Sequence, residues 1–222
     1  MTVLGNGLSA AGHHEDALSV KEAELSMLRR LGAPAAHVLA TQSNLANTYE
    51  TIGRLEEALS LRQEVYSRRL KLNGEDPSTI TAALCYTSTL RALKRFEEAK
   101  SLMRKTMPVA RRVLGESHEL TLRVSYNYAE VLYKADSATL DDRRAALTTL
   151  EDTERTARRV LGGAHPTTMD IGGCLRESRA VLHAHETGNL SSFREAMEAL
   201  TRTPGLRIRL DDDGAAVNLK GR

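Results

Sequence analysis

Three kinds of side chain in this chain of 222 residues could do chemistry by type and spacing. Adjacent carboxylates recur as Glu56-Glu57 and Glu97-Glu98, the kind of pair that general acid–base work uses. Adjacent guanidinium groups recur as Arg68-Arg69, Arg111-Arg112 and Arg158-Arg159, and a ridge of them could hold nucleic acid or acidic lipid. Histidines, Cys85, Cys174 and the run Asp211-Asp212-Asp213 are metal-ligand types. The spacings argue against each of these chemistries. Helical metal-ligand pairs prefer i,i+4, and His13-His14 and His183/His185 do not have it. The aspartates lack the alternation of a calcium loop, and no Glu follows at the required distance. Two cysteines cannot make a disulfide framework or a zinc site, so they read as small half-buried helix residues in a reducing compartment. No GxGxxG, Walker, GxSxG or HExxH pattern occurs. The expectation is a chain with no catalytic residues, no metal and no cofactor.

The charge pairs also have a simpler place. Glu56-Glu57 and Glu97-Glu98 suit the first turn of a helix, and the arginine pairs the last turns, where each sign complements the helix dipole. Lys and Arg number 31 against 29 Asp and Glu, a net charge of +2, which argues against nucleic acid as a partner. Acidic neighbours such as Glu75, Asp76 and Glu116 dilute any basic ridge. Aromatic residues are 4% with no Trp, low for a β-sandwich and ordinary for Ala/Leu/Arg/Glu-rich helices. No apolar run reaches membrane-spanning length, and Met1 to Gly12 lacks the basic start and apolar stretch of a secretory signal. A cytoplasmic location and no membrane contact are expected.

The elements that position these residues repeat. Ala17, Ala58 and Ala99 fall 41 residues apart within Gly12-His-His-Glu-Asp-Ala-Leu, Gly53-Arg-Leu-Glu-Glu-Ala-Leu and Leu93-Lys-Arg-Phe-Glu-Glu-Ala-Lys. Gly32, Gly74, Gly115 and Gly162 close helix-ending segments at intervals of 42, 41 and 47. A third track is Asn44-Leu45-Ala46, Cys85-Tyr86-Thr87 and Asn127-Tyr128-Ala129. Periods of this size mean a solenoid. Each repeat reads as two helices: Leu39, Leu45, Tyr49 and Ile52 follow helical spacing in one, Leu55, Ala58, Leu61, Val65 and Leu72 in the next. Asp76 is an N-cap with Pro77 as the first helical residue, and His165-Pro166 repeats that entry more weakly. Gly74, Gly115 and Gly162 suit a left-handed helix end. Ala17, Ala46, Ala58, Ala99, Ala129 and Ala146 mark expected close helix–helix approaches.

On these tracks the chain resembles the tetratricopeptide-repeat family, in the variant with about 42 residues per repeat found in kinesin light chains. The matching stretches are Asp76-Pro77-Ser78-Thr79, Asn44-Leu45-Ala46-Asn47-Thr48-Tyr49, Gly53-Arg54-Leu55-Glu56-Glu57-Ala58 and Arg159-Val160-Leu161-Gly162-Gly163-Ala164-His165-Pro166. The expected fold is all-α, a right-handed α-solenoid of stacked helix-turn-helix repeats over 1–202. It divides into a partial repeat 1–32, then repeats 33–74, 75–115, 116–162 and 163–202. Residues 203–222 form a tail, either disordered or a β-hairpin of Leu206, Ile208 and Leu210 with Val217 and Leu219 across an Asp-Gly turn. The repeat 116–162 lacks the turn glycine and carries about six extra residues around Ser137–Asp142, as a longer helix or a looped-out turn. Thr168 to Ala184 reads as a helix weakened at its start by Gly172-Gly173. A helix capped by Asn189 or Ser191 and running to Leu200 would cover the end of the stack. Leu4 aligns with Leu45, so the chain starts inside a repeat, which suggests a fragment, a truncated gene product or a repeat completed by a partner.

The resemblance implies a non-catalytic interaction module or scaffold, binding an extended peptide or partner protein along a concave groove lined by the first helix of each repeat. Aligned groove positions are Asn44, Cys85, Asn127 and Cys174; then Asn47, Ser88, Glu130 and Glu177; then Ala40, Thr81, Arg123 and Asp170; and Arg91 and Tyr133. The resemblance implies that Asn44 and Asn127 reach the backbone of a bound peptide, and an amide, which donates and accepts at once, suits that task. Asn44, Asn47, Thr81, Ser88, Arg91, Arg123, Asn127 and Glu130 are therefore the candidate site, positive near the middle and negative toward the C-terminus. A chaperone-tail receptor is disfavoured because lysines are missing at these positions. Alternatives are a kinesin-type cargo adaptor, which needs a heptad coiled coil not present in this sequence, and a regulatory domain severed from an enzyme. An incomplete first repeat also leaves room for self-association.

Overall fold

The structure is a computed structural model that describes residues 2–187 and the backbone of 208–210 and 216–218. The chain is an all-α solenoid of helix pairs, divided into two compact units, Met1–Gly115 and Glu116–Arg222. The first unit holds α1 (Thr2–Ala10), α2 (His14–Arg30), α3 (Ala35–Thr51), α4 (Leu55–Asn73), α5 (Pro77–Ala92) and α6 (Phe96–Leu114). Each helix packs on the next in sequence, so α2 and α4 join one hairpin to the following one. The second unit holds α7 (Glu119–Lys134), α8 (Leu140–Val160) and α9 (Pro166–Thr187), with α7 also touching α9.

The six alanines expected at close approaches, Ala17, Ala46, Ala58, Ala99, Ala129 and Ala146, are all fully buried. Around them the first unit gathers Leu18, Leu25, Val38, Leu45 and Tyr49, and the second Leu122, Leu132, Tyr133, Leu150, Ile171 and Leu175. Leu72 departs from the expected stripe. It is 59% exposed, because α4 runs well past Val65, the last buried residue of its stripe.

Helix ends follow local chemistry. The Asp76 carboxylate accepts from the Thr79 N–H at 2.7 Å, and Pro77 begins α5. His118 Nδ1 accepts from the Leu120 N–H at 3.1 Å, and His165 Nδ1 from the Thr167 N–H at 3.2 Å, so two histidines serve as helix caps. Glu57 and Glu98 pair with Arg54 and Arg95 three residues earlier, at 2.8 and 2.6 Å. Arg68, Arg112 and Arg158 pair with Glu64, Glu75 and Glu154, so these arginines of the basic ridge carry their own counter-ions. Gly74 and Gly115 have φ of 63° and 87°, as expected, but ψ of −136° and 162°. That is an extended region open essentially to glycine alone rather than the left-handed helical well.

The extra residues between α7 and α8 are shared between both expected solutions. The turn lengthens to residues 135–139, and α8 grows to 21 residues against 19 in α6. A Thr139/Asp142 capping box starts α8 where the turn glycine is missing. In the tail, Ile208–Leu210 (β1) pairs antiparallel with Ala216–Asn218 (β2), Arg209 opposite Val217. The Asp-Gly turn, the three aspartates and the helix expected up to Leu200 lie outside the described residues.

Candidate ligand-binding face

Asn44, Asn47, Thr48 and Thr51 follow each other at helical spacing, which puts them on one face of α3. Two of the hydroxyls turn back on their own helix: Thr48 donates to the Asn44 carbonyl at 3.2 Å and Thr51 to that of Asn47 at 2.8 Å. Asn47 is fixed from behind by Arg62 of α4. That guanidinium, 6% exposed, donates through Nη2 to Asn47 Oδ1 at 2.9 Å and to Glu50 Oε2 at 2.5 Å. A guanidinium has only donors, so the Asn47 oxygen must face it and the amide N–H groups face away.

The same face of α3 forms one side of a cleft of about 170 Å³, lined by Asn6, Ser9, Lys21, Asn44, Asn47, Thr48 and Thr51. Lys21 comes from α2 and is only 4% exposed. Its Nζ donates to Ser9 Oγ and Thr48 Oγ1, both at 2.8 Å. Burial pulls the Lys21 ammonium below its usual range, with Glu24 acting in the opposite direction. Gly5 lets α1 approach this side chain: a Cβ there would lie 3.0 Å from Lys21 Cγ.

On α5 of the same unit, Thr81 and Ser88 are exposed and Arg91 is half-buried. The Thr81 hydroxyl donates to the Pro77 carbonyl at 2.9 Å. Cys85 and Cys174 are half-buried and form no disulfide with each other.

The expected groove residues of α7 sit differently. Asn127 is 6% exposed, and its Nδ2 donates to the Arg123 carbonyl one turn back at 2.8 Å. Glu130 is 5% exposed and pairs with Lys134 at 3.0 Å. Lys134 also meets Glu177 at 3.0 Å, and the Tyr133 hydroxyl donates to Glu177 at 2.9 Å. Burial opposes the Lys134 charge, but Glu130 and Glu177 outweigh it and hold the ammonium above its usual range. Burial and the two carboxylates push the Tyr133 phenol well above its own. Glu130 and Glu177, read as groove residues, are thus engaged in an internal ionic network. Arg123 stays half-buried on the same helix.

A second, larger cleft of about 460 Å³ opens between α2, α3 and α4. Leu25, Leu45, Leu61 and Tyr49 form its apolar floor, with Glu22, Arg29 and Glu57 among its polar lining. The Tyr49 hydroxyl donates to Glu22 at 2.5 Å, and Arg54 lies 4.6 Å over the Tyr49 ring. Burial and the Glu22 carboxylate push this phenol up to about 12. Sequence reasoning missed both this cleft and Lys21. The signal for Lys21 was present, since it stands 41 residues before Arg62, a cation at the same repeat position. Among the described residues no group of three His, Cys, Asp or Glu could hold a metal, and no helix is long and apolar enough to cross a membrane.

Two sequence models described as tetratricopeptide repeat match the chain, one over residues 38–78 and the other over 78–140. No curated protein sequence matches it. Among solved structures, a Podosopora anserina kinesin light chain with nearly identical TPR-like repeats, in a variant form, is similar over 89% of both chains, at 20% identity and a TM-score of 0.67. BtubC (BKLC) from P. vanneervenii is similar over 90% of this chain and 77% of its own, at 18% identity and a TM-score of 0.65. The Rap conjugation gene regulator of the plasmid pLS20, solved in complex with the Phr* peptide, is similar over 89% of this chain and 60% of its own, at 13% identity and a TM-score of 0.50.

Proposed function

Because this chain is a tetratricopeptide-repeat protein whose repeats have the kinesin-light-chain-like fold, we propose that it is a non-catalytic interaction module that binds an extended peptide. Within the first unit the peptide lies on the face built by the first helix of each pair, with α3 as its main anchor. The observation that carries this reading is the Asn47 amide, whose oxygen is held by Arg62 and whose N–H groups are turned outward beside Asn44. Fixed amide donors on a rigid helix suit the carbonyl groups of an extended backbone whatever its side chains. A regulator of similar fold was solved with a peptide bound, which agrees with this assignment. On α5, Thr81, Ser88 and Arg91 continue the surface. In the second unit, Arg123 is the cationic position of the corresponding helix, α7. Asn127 and Glu130 are assigned to supporting α7 rather than to the ligand.

The test is a peptide selected from a random library on the wild-type chain, with its affinity then measured on the double variant Asn44→Ala, Asn47→Ala. Loss of two amide contacts should weaken binding by about 1–3 kcal/mol with an unchanged helical spectrum. Unchanged affinity would move the ligand off this face, and the larger apolar cleft beside Tyr49 is then the surface to examine.

A further inference from the structure

The repeats supply an internal comparison. Lys21 and Arg62 stand 41 residues apart at the same repeat position, and both are buried cations, 4% and 6% exposed. Each reaches across to the first helix of its own pair. Arg62 meets Asn47 and Glu50 there. The residues 41 earlier are Asn6 and Ser9, and Lys21 donates to Ser9. The carboxylate that neutralises Arg62 is therefore replaced by a serine hydroxyl beside Lys21.

Among the described residues, Lys21 bonds two hydroxyls and no carboxylate. Glu24, one turn along α2, influences its charge without an ion-pair contact and is itself bonded by Thr2. A buried ammonium is costly without a counter-ion. The cleft of about 170 Å³ opens beside it, and none of the lining residues is Asp or Glu. The Lys21 ammonium is a donor in that cleft. The outward N–H groups of Asn47 and the amides of Asn44 and Asn6 add further donors along the lining. Ser9 accepts from Lys21, which leaves its own proton available as well.

We propose that this cleft receives the side-chain carboxylate of an Asp or Glu in the bound peptide, supplying to Lys21 the counter-ion that Glu50 supplies to Arg62. The assignment of a peptide as the source rests on the function proposed above. The carboxylate would bond the buried Lys21 Nζ and the exposed Asn47 amide, and a hydrogen bond assisted by charge on both partners is stronger than a neutral one. It fixes the register of the ligand: one acidic residue is anchored at the α1–α3 end of the face, and the backbone runs on past α5.

The test uses random nonapeptides retained by the wild-type chain, by Lys21→Met and by Ser9→Glu. Ser9→Glu rebuilds the carboxylate of the next repeat and fills the cleft from within. Wild type should enrich Asp or Glu at one peptide position. Both variants should retain peptides without that preference and bind the wild-type peptide about tenfold or more weakly. Retained peptides with no acidic position, or an acidic preference that persists in Ser9→Glu, would overturn the proposal and leave the groove reading standing. If no variant retains any peptide, the groove reading fails, and sodium acetate against sodium chloride at equal ionic strength decides the subsite. A saturable shift of the Lys21 Cε resonance with acetate, missing in Ser9→Glu, supports a carboxylate site. No such shift overturns it.

Discussion

Lys94 holds φ of 57° in the turn between α5 and α6, where the two preceding hairpins have Gly12 and Gly53 at 83° and 81°. A side chain with a Cβ is strained in that region by about 1 kcal/mol, and glycine is not. Lys94→Gly should therefore raise the free energy of unfolding by about 1 kcal/mol in urea denaturation; a destabilised variant would contradict the assignment of strain. Asp76 gives a prediction with a pH sign. Burial works against its charge, but hydrogen bonds from the Thr79 N–H and the Ser78 hydroxyl outweigh it and hold the carboxyl below its usual range. A carboxyl depressed by folding stabilises the chain above the pKa of the unfolded state, and that gain is lost as pH falls through the folded value. Asp76→Ala should cost about 1 kcal/mol at pH 7 and progressively less below about pH 4. An equal cost at pH 7 and pH 3 would show that the cap does not act through the carboxylate. Asp76 could be read from its place before Pro77. The conformation of Lys94 could be read only by aligning it with the turn glycines of its neighbours.

At the scale of elements, α9 contains the adjacent glycines Gly172 and Gly173, both buried. A Cβ at Gly172 meets nothing nearer than Arg176 Nη1 at 3.5 Å, and one at Gly173 nothing nearer than 4.0 Å. Neither glycine is needed for a close approach, so each weakens the helix by its propensity alone. Gly172→Ala should stabilise the second unit by about 1 kcal/mol, read as a rise in thermal midpoint. A fall would reveal a contact that the backbone position does not show. The same substitution at Gly5 differs in kind, because its Cβ would press on Lys21 at 3.0 Å. Helix positions and the small buried residues were legible because the period and the helix-ending glycines Gly32, Gly74, Gly115 and Gly162 repeat. The length of α8 was not, since about six extra residues can enter a turn or a helix at similar cost, and the Thr139/Asp142 box settles it locally.

For the molecule as a whole, the class of fold follows from periodicity, because no single helix pair can bury its own apolar stripe. The geometry of the proposed ligand-binding face was legible only in part. Asn44 and Asn47 occupy one cleft, whereas Asn127 and Glu130, aligned to them by the same period, are buried. A repeat fixes which helix face a residue occupies. It does not fix whether a neighbour such as Lys134 or Glu177 covers it, since those contacts join positions that differ from repeat to repeat. Lys21 was overlooked for the converse reason: a lysine in an apolar stripe reads as a break in pattern until its alignment with Arg62 is seen. The most direct test of the account is a titration of ¹⁵N-labelled protein with a peptide selected on the wild-type chain. The account predicts that the side-chain amide signals of Asn44 and Asn47 and the backbone signals of α3 and α5 shift together, while those around Leu25 and Leu61 stay in place. Shifts confined to the cleft of Leu25, Tyr49 and Leu61, with the two amides unmoved, would contradict it.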